Sequence, residues 1–138
     1  MPVRTEAIQY SKKYFEFYQE ILQDFIKIPS ISTDPNRKSD MLAAANYIKG
    51  ILNQFGIEDV RILETNGHPV LFAEKKSGRN EASTVLIYGH YDVQPTDPIE
   101  LWQSEPFTAT IHGDRLFGRG SSDMKGQIIA SIAAYHAI

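Results

Sequence analysis

The 138-residue chain contains no cysteine. A disulfide framework and a thiolate metal site are therefore excluded, and any metal must be held by His, Asp or Glu. An excess of positive charge is missing too: 14 Lys and Arg stand against 17 Asp and Glu, a net charge of -3. Nucleic-acid backbones are bound by basic surfaces, so this balance argues against a nucleic-acid partner. No apolar run approaches the roughly 20 residues of a membrane-spanning helix. The opening segment, residues 1–10, lacks the apolar core of a signal peptide. Together these absences point to a soluble, cytoplasmic protein with no membrane partner. The chain also has no Gly-x-Ser-x-Gly elbow, no phosphate-binding loop and no basic patch with interleaved aromatics.

What is present suits one globular domain: 42% of residues are hydrophobic and 22% charged. Tyr14, Tyr18, Ile21, Leu22, Phe25 and Ile28 recur at helical spacing and predict a helix over 11–28, ended by Pro29. Residues 30–38 read as a loop turning at Asp34, Pro35 and Asn36. A second helix is expected over 40–55, with Met41, Leu42, Ala45, Ile48, Leu52 and Phe55 as its apolar stripe. Ser39 would be its N-cap and Gly56 its C-cap. Strands are expected at 60–63, 70–75 and 84–88, with a weaker one at 107–112. The run Thr84-Val85-Leu86-Ile87-Tyr88 is apolar on both faces, as a central strand covered from both sides would be. A third helix should begin just after Asp123. Helices flanking strands predict the α/β class, a three-layer α/β/α sandwich with a mixed or mostly parallel sheet. The sequence stops inside the periodicity of that last helix, and the expectation is a truncated piece of a longer protein.

Two clusters carry chemistry. The first, Gly89-His90-Tyr91-Asp92-Val93-Gln94-Pro95, follows the central-strand candidate, where open α/β sheets bind ligands. On extended backbone, positions two apart project together. Asp92 could thus orient the His90 ring and raise its basicity, as carboxylates do behind metal-bound histidines. The same pair would also form where a His and an Asp merely hydrogen-bond at a strand end. The second cluster runs from Gly118 through Arg119, Gly120 and Asp123 to Gly126. Its glycines permit tight turns, and Asp123 enters a helix, where it could face a cation or simply cap the helix.

Taken together, the clusters resemble the di-zinc aminoacylase/carnosinase/dipeptidase metallopeptidase family. The first matches that family's Gly-His-x-Asp-Val-x-Pro motif, and the second matches Gly-Arg-Gly-x-x-Asp-x-Lys-Gly without a gap. The connecting Leu101-Trp102-Gln103-Ser104-Glu105-Pro106-Phe107 is similar to the dipeptidase branch. The resemblance implies a metal-dependent hydrolase that cleaves the amide bond of dipeptides or peptide ends. The alternatives are an N-acyl amino-acid deacylase or desuccinylase and a non-catalytic binding module of the same fold. By this resemblance His90 binds zinc, Asp123 bridges two zinc ions (cobalt or manganese being alternatives), Asp92 is the active-site residue that orients His90, and the peptide bond after Asp123 is cis. It also implies a Glu pair downstream of Asp123, whereas this chain has no Glu after Glu105. Residues 1–138 are accordingly expected to be the amino-terminal part of the catalytic domain. The lid domain would be absent, metal retention weak and hydrolysis nil, and the parent protein would be a homodimer. His68, His112 and His136 are expected to be structural or solvated; Arg119 and Lys125 could bind a carboxylate, but the expectation is that they brace loops.

Overall fold

The computed structural model describes the backbone of residues 2–138. Four helices, α1 (Pro2–Lys13), α2 (Phe15–Ile26), α3 (Lys38–Gln54) and α4 (Lys125–His136), accompany four strands, β1 (Asp59–Leu63), β2 (Val70–Glu74), β3 (Thr110–His112) and β4 (Arg115–Phe117). The helix expected over 11–28 is two helices. The chain is helical from Pro2, and it leaves helical angles at Tyr14 (φ -102°, ψ 15°) before resuming. Proline is pre-set for a first helical position, and α1 has too little apolar content to show a stripe in the sequence. Tyr18, Ile21, Phe25 and Ile26 are the buried residues of α2.

Asp34 accepts a hydrogen bond from the Asn36 amide (2.9 Å) and opens a 3-10 turn over Pro35–Arg37, which feeds α3. The α3 stripe is Met41, Ala44, Ala45, Ile48, Ile51 and Leu52, whereas Leu42 is exposed. Ser39 lies inside α3 rather than capping it. Gly56, at φ +81°, turns the chain out one residue beyond the C-cap Phe55, a conformation glycine adopts without a Cβ penalty. One core joins α2, α3 and α4: Phe25, fully buried, belongs to the same cluster as Ile48, Ile51, Ile129, Ile132 and Val60 of β1. Complete burial of a side chain such as Phe25 contributes about 1.5–3 kcal/mol.

The sheet is present in two pieces. β1 pairs antiparallel with β2, β3 pairs antiparallel with β4, and a single parallel bridge joins Ile31 to Val93. The run at 84–88 is not a strand here. Val85, Leu86, Ile87 and Tyr88 are 61–89% exposed. A strand exists only through partners for its N–H and C=O groups. Among the described residues β1 and β2 satisfy each other, and nothing pairs with this run. Apolar periodicity shows that a segment suits a buried strand; it does not supply the neighbours.

Candidate active site

The site is built where two irregular segments meet. Residues 30–32 run beside 91–93. The Ser30 carbonyl accepts from the Val93 amide at 2.8 Å, and Ser30 Oγ donates to the Tyr91 carbonyl at 2.7 Å. Ser32 Oγ donates to Asp92 Oδ2. These bonds fix the backbone and the carboxylate of Asp92. Its other oxygen, Oδ1, lies 3.0 Å from His90 Nδ1. The second segment, 118–126, approaches from the other side and places Asp123 Oδ1 3.0 Å from His90 Nε2.

That second segment is held by close approach. Gly120 sits at φ +88°, and a Cβ there would come within 2.7 Å of Val93 Cγ1. At Gly126 a Cβ would meet the Ser121 carbonyl oxygen at 2.2 Å. The Lys125 amide donates to the Gly120 carbonyl (2.9 Å), closing the turn into α4. The Lys125 side chain is fully buried, and its Nζ donates to the carbonyls of Phe25 (2.8 Å) and Ile28 (2.6 Å) at the end of α2. A cation is favourable at a helix C-terminus. Burial nevertheless pushes the Lys125 ammonium down to about 7. Lys125 is therefore the brace between the Asp123 loop and α2. The peptide bond Asp123–Met124 is cis, as the resemblance implies.

Asp123 is not the cap of α4. The N-cap position falls at Met124 with no side-chain cap bond, and the Asp123 carboxylate, 79% exposed, is turned to His90 instead. The His90 ring thus stands between two carboxylates. Partial burial works against its charged form, but hydrogen bonds to Asp123 and to the carbonyl and carboxylate of Asp92 outweigh it and hold His90 above the usual imidazole range. In this state both ring nitrogens donate, one to each carboxylate.

Of the three residues singled out from the sequence, all three are brought together. Ser30 and Ser32, which hold the backbone around Asp92 and its carboxylate, were not legible, because they lie 61 and 60 residues from their partners in a loop with no motif of its own. His68 is exposed, with Nε2 2.8 Å from the Ser32 carbonyl oxygen. His112 lies in β3, edge-on to Phe117. His136 hydrogen-bonds the hydroxyls of Tyr10 and Tyr18 and stacks on Phe55 at 3.8 Å, joining α1, α2 and α4. Among the described residues, no helix is long and apolar enough to cross a membrane.

Residues 86–138, which contain both motifs, match the family described as Peptidase family M20/M25/M40. It is 38% identical over 125 residues to the Cys-Gly metallodipeptidase DUG1 of Candida albicans, covering 80% of this chain and 25% of that protein. It is 35% identical over 115 residues to the succinyl-diaminopimelate desuccinylase of Blochmanniella floridana, covering 83% and 28%. Among solved structures, the di-peptidase Dug1p from Saccharomyces cerevisiae superposes with a TM-score of 0.87 at 29% identity, covering 96% of this chain and 30% of that one. The fold class is α/β, that of these metallopeptidases. The chain spans about a quarter of the length of the curated relatives it matches.

The family implies a divalent metal; among the described residues no group of three or more candidate ligands gathers, but His90 and Asp123 fit as two donors to one. Imidazole nitrogen and carboxylate oxygen are both zinc donors, and a carboxylate behind the ring favours the metal-binding tautomer. An ion held at about 2.0–2.2 Å by both His90 Nε2 and Asp123 Oδ1 would keep those atoms roughly 3–4 Å apart. Their separation is 3.0 Å, at the short end of that interval.

Proposed function

We propose that the protein is a zinc-dependent amide hydrolase acting on dipeptides or peptide ends, with His90 and Asp123 as metal ligands and Asp92 as the residue that orients His90. The observation that carries this reading is the His90 ring held between two carboxylates, each 3.0 Å from a ring nitrogen. A histidine with a merely structural role needs one acceptor; two carboxylates converging on one ring make a site for positive charge.

Bound zinc would polarise a scissile carbonyl and acidify a water molecule. The chain's own residues do the positioning. Asp92, tied through Oδ2 to Ser32, keeps the Nδ1 proton of His90 in place, so that Nε2 is the nitrogen left for the metal. Asp123 sets its carboxylate at the mouth of the α4 turn, exposed to an incoming ion. Zinc takes about four ligands and these residues give two, so the pair is only part of a complete coordination shell. By themselves, these residues hold the ion weakly and do not turn over. Two ions in the complete site, a cytoplasmic location and a homodimeric parent belong to the same reading. A desuccinylase among the relatives favours a second reading, deacylation of N-acyl amino acids.

The test is a paired assay of zinc-loaded protein expressed from the complete gene. Hydrolysis of Cys-Gly and other dipeptides, lost in His90→Ala and Asp123→Ala, supports the first reading. Turnover confined to N-succinyl substrates supports the second. Zinc-loaded protein that cleaves neither overturns both.

A further inference from the structure

A cavity of about 420 Å³ lies apart from the His90 site; His90, Asp92 and Asp123 do not line it. Its walls include Asp97, Leu101, Trp102, His112, Phe117 and Arg119. Arg119 is the unusual member. Its guanidinium stacks over the Trp102 ring at 5.0 Å, and its Nε is buried without a hydrogen bond. Arg119, like the exposed Arg4 and Arg79, forms no ion pair among the described residues, but it alone of these three is partly buried. Trp102 is itself pinned, its Nε1 donating to the Thr96 carbonyl at 2.8 Å. A guanidinium held in place by stacking, with its charge uncommitted and facing a cavity, is a recognition element for a carboxylate. Asp97 on the same cavity is exposed and likewise unpaired among the described residues. One cationic and one anionic group beside apolar walls match a zwitterion with an apolar tail; a simple anion would leave Asp97 opposed.

We propose that this cavity binds a free α-amino acid with an apolar side chain. The carboxylate pairs with Arg119, the ammonium pairs with Asp97, and the side chain lies against Leu101, Trp102 and Phe117. Ligand sites commonly combine apolar walls with a few such polar anchors.

Trp102 is the sole tryptophan, so its emission reports this cavity directly and independently of hydrolysis. Titration with phenylalanine should change that emission saturably. N-acetylphenylalanine, which lacks the ammonium, and phenylalaninamide, which lacks the carboxylate, should each bind about tenfold more weakly or worse. Arg119→Gln should weaken phenylalanine binding by a similar factor. Because Asp97 is exposed, Asp97→Asn leaves folding intact and should abolish the preference for phenylalanine over its N-acetyl form. No saturable change with phenylalanine, equal binding of the N-acetyl form to the unmodified protein, or an unchanged preference in Asp97→Asn would overturn the proposal.

Discussion

Two glycine-to-alanine substitutions should move stability in opposite directions. In a helix, alanine is favoured over glycine by about 1 kcal/mol. Gly50 lies inside α3 with nothing within 4 Å of where its Cβ would stand. Gly50→Ala should therefore stabilise by about 0.5–1 kcal/mol. Gly126 is the second residue of α4, so it would gain the same propensity, but its Cβ would lie 2.2 Å from the Ser121 carbonyl oxygen. That is more than about 1 Å inside ordinary C···O contact. The obstacle is backbone, so the 121–123 turn must shift as a unit, and overpacking of this kind costs about 1–3 kcal/mol or more. The net effect of Gly126→Ala should be a loss of up to about 2 kcal/mol, together with movement of Asp123 away from His90. Urea unfolding of both variants, alongside the His90 ring signals in NMR spectra, measures stability and site geometry at once. Gly126→Ala with an unchanged midpoint and unchanged His90 signals would refute the account of how the Asp123 loop is held.

Asp92→Asn should weaken zinc binding about 10–100-fold, as loss of a carboxylate behind a metal-bound histidine does; competition with a chromophoric chelator measures it. Burial puts the Lys125 amine near 7, below the 10.5 of an exposed lysine. From pH 7 to 10.5 the unfolded chain thus holds a proton that the folded chain has released, and stability rises with pH. The carbonyls of Phe25 and Ile28 favour the ammonium, which narrows the pH window of the rise and leaves its limiting slope of ~1.4 kcal/mol per pH unit unchanged. Unfolding midpoints across that range should show the rise, and Lys125→Met should flatten it. The Tyr47 hydroxyl, bonded to the Ile21 carbonyl, is pushed up to about 12 by burial and by Asp24. Its contribution is complete below pH 10 and fades as pH climbs toward 12. Tyr47→Phe should remove that alkaline loss in thermal melts.

The legible parts of this protein were those encoded locally. His90 and Asp92 are two residues apart on extended backbone, and the glycines around Asp123 announce a tight turn, so both halves of the site could be read. Their meeting came only from the family resemblance, because spacing along the chain does not show which loops face each other. The α3 boundaries were off by two residues at its start, since the 3-10 turn at Pro35–Arg37 runs straight into it. α1 escaped notice because it lacks an apolar face. The run at 84–88 was misread for the opposite reason: its apolar pattern is strong, but a strand depends on distant partners. Lys125 looked like a loop brace, and it is one, although nothing local announced that its acceptors lie at the end of α2.

Three of the bonds that assemble the site span long stretches of chain: 33 residues from His90 to Asp123, 60 from Ser32 to Asp92 and 100 from Phe25 to Lys125. Closing such loops must precede any return from the contacts they bring. The helices can form early and alone, but a metal-competent His90 cannot. In a refolding experiment, zinc capture should follow the slow global phase and be absent from any early rise in helical signal.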